Sequence, residues 1–119
     1  MAVWCVKFKY ERTVEEYFSD FKLMKKKIGV DLTRGVKKRY DQLKAAANFS
    51  IYLSTGLGKS HSLVGNLKGC YGINISGNIR LIVKPNVENL DPVSLKKCDL
   101  VIIKGVMDYH GQKHEWLIP

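Results

Sequence analysis

The pattern of hydrophobic and polar positions divides this chain into a helical first half and a strand-rich second half. Between residues 14 and 47, apolar residues recur every three or four positions, which is the spacing of one helix face. From residue 70 onward they alternate with polar residues, as in strands that bury one face. Residues 2–10 alternate in the same way and predict an N-terminal strand, with Lys7 and Lys9 on its polar side.

Two helices are predicted from the first half. The first begins at Thr13, which opens the capping box T-V-E-E, and ends at Gly29. Its buried stripe contains Val14, Tyr17, Phe18, Phe21, Met24 and Ile28. The second is capped by Asp31 or Thr33. Its stripe contains Leu32, Val36, Tyr40, Leu43 and Ala47. Together they predict an α-hairpin, followed by an ambiguous segment 49–60 that ends as a loop.

Three strands are predicted from the second half. CYGINIS (70–76) and NIRLIVKP (78–85) form a hairpin around the turn signal S-G-N (76–78). A loop over 86–97, with a helical turn at 93–97, leads to the strand DLVIIKGVMDYH (99–110). The order β-α-α-β-β-β predicts a single α+β domain over 1–119. Its N-terminal strand and two-helix hairpin pack on an antiparallel β-sheet.

The charge balance narrows the range of partners. Twenty Lys and Arg residues face eleven Asp and Glu residues, for a formal net charge of +9. Such an excess favours nucleic acid, the ribosome or another polyanion. The odd set Cys5, Cys70 and Cys98 contains no C-x-x-C pair and predicts a reducing compartment. No signal peptide or membrane-spanning stretch is evident, so we expect a soluble cytoplasmic protein with no membrane partner.

Several polar residues stand out among apolar neighbours: His61, Lys68, Arg80 and the triplet Asp108, Tyr109 and His110. Taken singly, each is typical of an exposed loop or strand end. Taken together, they suit RNA cleavage by attack of the 2′-OH on the adjacent phosphate. That reaction needs a base, an acid and cations on the phosphate, but no metal. Histidine suits the first two roles because its ordinary pKa is about 6.5.

Two possible cofactor sites in the sequence fit their motifs poorly. His110, His114 and Cys98 lack the close ligand pairing of zinc sites. The segment G-L-G-K-S (56–60) is similar to part of a P-loop, but Leu53 stands where that motif needs glycine. We therefore predict neither a metal nor another cofactor.

The stretch HSLVGNLKGCYGINISGNIRLIVKP (61–85) and the strand end VMDYH (106–110) resemble the HigB-type toxins of type II toxin–antitoxin systems. This group belongs to the RelE/ParE-like superfamily and is also called the plasmid maintenance killer protein family. The resemblance implies a RelE-like fold and ribosome-dependent cleavage of translated mRNA, which blocks translation. It also implies neutralisation by a cognate helix-turn-helix antitoxin of the HigA-like kind, with two toxins bound to two antitoxins.

The resemblance also implies roles for individual residues. His61 matches an upstream catalytic histidine, Arg80 the arginine that contacts the scissile phosphate, and Lys68 a basic residue on the approach to the hairpin. Asp108, Tyr109 and His110 match the terminal catalytic triplet. Val64 replaces a lysine common in the family, and Lys59 is a candidate to supply that phosphate contact. On the second helix, Arg34, Lys37 and Lys38 either dock ribosomal RNA or form an ordinary solvated helix face.

Two other functions stay open at this point. ParE-type toxins resemble this fold but act by binding DNA gyrase, and they generally lack the histidine and D-Y-H set. A basic RNA-binding module without catalysis would bind RNA in a salt-dependent way and would tolerate loss of His61 or His110. The presence of the full set favours the endoribonuclease.

Overall fold

The computed structural model describes residues 6–110 and 113–119, with His110 described by its backbone only. The helices are α1 (Glu15–Ser19), α2 (Phe21–Ile28), α3 (Val30–Ala45), α4 (Phe49–Ser54) and α5 (Pro92–Lys96). The strands are β1 (Lys7–Tyr10), β2 (His61–Ser62), β3 (Tyr71–Ser76), β4 (Ile79–Pro85), β5 (Leu100–His110) and β6 (Lys113–Ile118). Short 3-10 turns occur at Leu57–Lys59 and Gly65–Leu67. None of the helices in these ranges is long and apolar enough to cross a bilayer.

The strands form one sheet in the order β1-β5-β4-β3-β2. The long strand β5 organises it, because β1 pairs with residues 100–103 and β6 pairs with residues 106–110. The predicted α+β class is confirmed. The sheet is not wholly antiparallel, however, since β1 runs parallel to β5. The helices that follow β1 carry the chain back across the sheet, which allows this parallel pairing.

The helices cover one side of the sheet, which we call the helix-covered face. Its core joins helix residues such as Val36 and Leu43 to the strand residues Ile73, Leu81 and Val101, all fully buried. The other side, which we call the open face, carries no helix core. It holds a smaller apolar cluster, formed by Leu63, Leu67, Cys70, Ile82 and Met107, with Tyr109 packed against it.

The predicted first helix is in fact two short helices. Thr13 has a left-handed φ of 58°, and its hydroxyl donates to the carbonyl of Arg12, so the predicted capping box does not form. The chain breaks again at Asp20, whose carboxylate accepts the N–H of Lys22 at 3.0 Å and caps α2. The prediction of one continuous helix was wrong because Asp20 adopts an extended conformation. In that conformation its carboxylate accepts a hydrogen bond from the free N–H of Lys22 at the start of α2, an alternative that competes with the helix.

The second predicted helix is α3, but its start differs from the prediction. It begins at Val30 directly after Gly29, whose φ is 91°, so neither Asp31 nor Thr33 caps it. Gly29 ends α2 as predicted. Directly before the ambiguous segment 49–60, Asn48 accepts the N–H of Ile51 at 2.9 Å and caps the short helix α4, with which that segment begins.

The predicted strands of the second half are confirmed as β3, β4 and β5, and the predicted helical turn is α5. The final strand β6 was not predicted. It reaches the sheet because Gly105 leaves room for it: a side chain there would place Cβ 2.3 Å from the carbonyl oxygen of Ile118. Gly105 also has a φ of 143°, which favours glycine.

Candidate functional site

His61 lies on the edge of the open face. It pairs with Gly72 of β3, and a Cβ atom at Gly72 would lie 3.7 Å from its Cε1 and 3.8 Å from its Nε2. The imidazole therefore lies over the glycine. Nδ1 is 3.3 Å from the carbonyl oxygen of Lys59, which can only accept a hydrogen bond. A neutral ring that donates from Nδ1 presents Nε2 as its basic nitrogen.

Arg80 lies in the centre of the sheet, with Asn74 of β3 on one side and Met107 of β5 on the other. Alternation along β4 places it on the same face as Ile82, which belongs to the open-face cluster. Its Nη1 donates to the carbonyl of Gly77 at 2.6 Å. The contacts described for this guanidinium are with carbonyl oxygens and not with carboxylates, so its charge is free to attract an anion.

Tyr109 lies beside the same hairpin turn. Its backbone N–H donates to the carbonyl of Asn78 at 2.8 Å, and its side chain packs against the open-face cluster. The ring stacks on His114 of β6, with centroids 3.8 Å apart and planes 26° from parallel. His114 was missed as a site residue, because its position beside Tyr109 depends on the unpredicted pairing of β6 with β5.

Of the other two members of the triplet, Asp108 does not join this group. Asp108 is half-buried and lies opposite Ile79, on the side of β5 that contributes Val106 to the helix-covered core. It is therefore directed away from Tyr109 by the alternation of the strand. His110 ends β5 opposite Lys113, and its side chain lies outside the described part of the structure. The predicted roles of Asp108 and His110 stay predictions.

His61, Arg80 and Tyr109 form a line across the open face. Arg80 lies two strands away from His61 and two residues further along the strand direction. At the usual spacings between strands and between residues, their Cα atoms are about 12 Å apart. Tyr109 is one strand beyond Arg80 in the same direction. A small metabolite would not span this distance, whereas a polymer lying across the strands would contact all three residues.

Lysines add positive charge to the open face. Lys9 of β1 and Lys84 of β4 are exposed, and both pair with Ile102 of β5. A Cβ atom added at Gly69 would lie 3.7 Å from Cε of Lys84. Lys68 is exposed in the loop that precedes Gly69. Lys104 is offset by an ion pair with Glu11, which lowers the pKa of that carboxyl through the hydrogen bond. The charge and the three site residues thus occur on the same face.

The remaining predicted cations lie elsewhere. Arg34 and Lys37 border a groove of about 250 Å³ between α2 and α3. Lys37 pairs with Asp41 at 2.8 Å, and both side chains are about half exposed, so the pair adds little stability. Lys38 and Lys59 line a second cleft, between α3 and the loop before β2. The structure therefore separates the predicted RNA contacts into three surfaces: the open face with Lys68, this groove and this cleft.

The described cysteines are not suited to nucleophilic catalysis. Cys70 and Cys98 are free and buried, and burial raises the pKa of both thiols. A raised pKa keeps the unreactive thiol form at neutral pH. Within residues 6–110 and 113–119, no group of three His, Cys, Asp or Glu side chains is arranged to hold a metal ion.

No protein-family model matches this chain, and no curated protein matches it in sequence. Solved structures do match. The fold is similar to that of the YoeB-YefM complex from Staphylococcus aureus, with a TM-score of 0.52, 18% identity, and coverage of 89% of this chain and 98% of that chain. A heterotetrameric YoeB-YefM toxin-antitoxin complex and a YoeB dimer from the same organism each match with a TM-score of 0.51, at 17% and 18% identity. At such identities the likeness establishes the fold, and the predicted RelE-like architecture is confirmed.

Proposed function

We propose that this protein is the toxin of a type II toxin–antitoxin system, and that it cleaves mRNA on the ribosome by metal-independent acid–base chemistry. One observation carries the proposal: His61, Arg80 and Tyr109 lie in a line on the cationic open face of the sheet. A polymer of phosphates and bases is the ligand that a base, an arginine and an aromatic ring at such spacing would contact together.

In the proposed reaction the 2′-oxygen of one nucleotide attacks the phosphorus that follows it. Nε2 of His61 accepts the 2′-OH proton as the new phosphorus–oxygen bond forms. The bond from phosphorus to the 5′-oxygen breaks, and a general acid protonates that oxygen. The products are a 2′,3′-cyclic phosphate and a 5′-hydroxyl end. His110 is the proposed acid, and the family resemblance is the basis for that role.

Arg80 is proposed to stabilise the charge on the phosphate. Nη1 of its guanidinium donates to carbonyl oxygens, so the other N–H groups are available to bind two phosphate oxygens. Tyr109 is proposed to stack on a base next to the cleaved bond. Its stacking contact with His114 would hold the ring in place for this role. Asp108 is proposed to orient His110, and the family resemblance is the basis for that role too.

The proposed partners rest on the matched structures and on the sequence resemblance. The matched YoeB structures include a heterotetrameric complex with YefM. By analogy we propose a cognate antitoxin for this chain, of the HigA-like helix-turn-helix kind that the sequence resemblance implies, in a complex of two toxins and two antitoxins. The site of action is proposed to be the ribosome in the cytoplasm.

The decisive experiment is to induce the protein in growing bacteria and to map new 5′ ends on translated and untranslated forms of one transcript. The His61→Ala and His110→Ala variants are induced in parallel. We expect 5′-hydroxyl ends only in the translated form, and we expect each variant to lose them.

Two other results would overturn the proposal. Growth arrest without RNA cuts, unchanged in both variants, would indicate a gyrase-binding toxin of the ParE type. Salt-dependent RNA binding with neither cuts nor growth arrest would indicate a non-catalytic RNA-binding module.

A further inference from the structure

A cleft of about 370 Å³ lies between α3 and the loop before β2, at the sheet edge near His61. Its lining includes three cations, Lys38, Arg39 and Lys59, and two amides, Gln42 and Asn74. Among residues 6–110 and 113–119, no acidic side chain lines it. The sequence assigned Lys38 to a helix face and Lys59 to a separate loop, and it did not single out Arg39. Their convergence is a product of the fold.

Arg39 is held in place in this cleft. Its Nε donates to the backbone carbonyl of Asn74 at 3.1 Å, and its Nη1 donates to Oε1 of Gln42 at 2.9 Å. Both partners are neutral, so the guanidinium keeps its full charge and has further N–H donors available. The neighbouring Lys37 differs, because it is already paired with Asp41. An arginine that is fixed but not neutralised is well prepared to bind an anion.

The loop on the other side of the cleft is equally fixed. Gly56, Gly58 and Lys59 all have left-handed φ values, of 71°, 70° and 43°. Gly58 is pressed against β3 so closely that a Cβ atom would lie 2.5 Å from Cγ2 of Ile73. The hydroxyl of Tyr52 donates to the carbonyl of Leu57 at 3.1 Å and holds the loop from within. This geometry sets Lys59 at the border of the cleft.

We propose that this cleft binds the phosphate backbone of single-stranded RNA beside the cleavage point, an inference that rests on the proposed function. The link to the site is direct, because Lys59 contributes a cation to the cleft and its carbonyl oxygen contacts Nδ1 of His61. A strand that crosses the open face at His61 would continue over the sheet edge into the cleft. There Lys38, Arg39 and Lys59 would hold its next phosphates.

An acidic protein segment is the other polyanion that three cations would attract. Protein segments usually anchor apolar side chains in addition to their charges. In the lining that the structure describes, Leu57 is the one large apolar side chain, and the other residues are polar or glycine. The cleft therefore suits phosphates better than a peptide.

The test measures binding without cleavage. A fluorescein-labelled 12-nucleotide RNA with 2′-O-methyl riboses cannot be cut, and its anisotropy reports affinity across a series of salt concentrations. The variants are Lys38→Ala and Lys59→Ala. The matched control is Lys96→Ala, an exposed lysine on α5 that borders a different groove. We expect each cleft variant to weaken binding about three- to tenfold, and to reduce the salt slope by about 0.7 for each lost phosphate contact. The control should stay within twofold of the wild type.

Several results would overturn the inference. Equal losses in all three variants would show diffuse attraction by the net charge, and no loss in the cleft variants would show that the cleft is not used. Displacement of the RNA by inorganic phosphate at matched ionic strength would indicate a site for free phosphate. Stronger displacement by a polyglutamate peptide would indicate a protein partner. Because the RNA cannot be cut, a protein that fails to cleave mRNA but shows the expected binding pattern would refute only the proposed function.

Discussion

The two faces of the sheet are made from alternate residues of the same strands, yet they are built differently. On the helix-covered face, a continuous core surrounds Leu81 and Ile103. It includes residues from all five helices and from five of the strands, together with residues just outside them. On the open face, the described apolar contacts reduce to a cluster of five buried residues around Ile82 and Met107. Stability is therefore concentrated on one side of the molecule.

The open face uses its remaining positions for polar groups. His61, Arg80 and Tyr109 surround the small cluster, and the exposed Lys9 and Lys84 lie on β1 and β4 of the same face. Such groups would be costly to bury on the helix-covered face without partners. The comparison indicates that substitutions on one face should affect folding, whereas those on the other should mainly affect activity.

The largest expected effect is on activity. Replacing His61 by alanine removes the proposed base and should reduce the cleavage rate by about 10²- to 10⁴-fold, which is roughly 3–5 kcal/mol of barrier. The melting temperature should stay unchanged because the imidazole is exposed. The control is Ser62→Ala, the exposed neighbour in β2. Equal losses in both variants would show that the edge strand matters and not the imidazole.

Neighbouring core residues on opposite faces give the next contrast. Leu81 and Ile82 are both fully buried, but they belong to different clusters. Leu81→Ala should lower the free energy of unfolding by about 3–5 kcal/mol, and Ile82→Ala by about 2–3 kcal/mol. The smaller cluster is able to collapse around the lost atoms, so less cavity remains. Urea denaturation measures both values, and a larger loss for Ile82→Ala would contradict the asymmetry.

The two buried cysteines allow the two faces to be compared through the pH dependence of stability. Cys98 belongs to the helix-covered core and Cys70 to the open-face cluster, and desolvation raises the pKa of both thiols above their ordinary 9.0. The unfolded chain then loses these protons at a lower pH than the folded protein. Stability is fully present below about pH 9 and decreases as the pH rises through the folded pKa values. Urea denaturation at pH 7 and pH 10 should show this decrease, and the Cys70→Ala and Cys98→Ala variants should each show a smaller one.

The smallest expected effect concerns the ion pair at the border of the open face. Lys104→Met removes the partner of Glu11, whose side chain is 44% exposed. The loss in free energy of unfolding should be about 0.5 kcal/mol at low salt. The pair lowers the pKa of Glu11, so its contribution should disappear as the pH falls through that lowered value. Thermal melts at pH 7 and pH 3 test this, and a loss that stays the same at pH 3 would indicate lost packing by the lysine stem.

Much of the secondary structure was predictable from local patterns. The alternation in β3, β4 and β5 and the apolar stripe of α3 each reflect one buried face, which sequence periodicity records directly. Helix ends were less predictable. At Thr13 the capping signal failed, and at Asp20 a single carboxylate ended one helix and capped the next. A cap depends on the conformation of one residue, which periodicity does not report.

The candidate site was predictable in its residue types but not in its arrangement. His61, Arg80 and Tyr109 were identified from the chemistry that they suit and from the family resemblance. The stacking of Tyr109 on His114 required the strand β6, whose weak alternation gave no signal. The cleft that joins Lys38 to Lys59 required α3 and a distant loop to meet.

By itself, the sequence determined the α+β class, the three main strands, the excess of positive charge and the residues suited to RNA chemistry. These properties depend on composition and on neighbours within a few positions. The tertiary structure alone decided that β1 runs parallel to β5, that β6 completes the sheet, and that Tyr109 shares a face with His61 and Arg80. It also decided which cations share a surface, because strand register and helix packing bring together residues that are far apart along the chain.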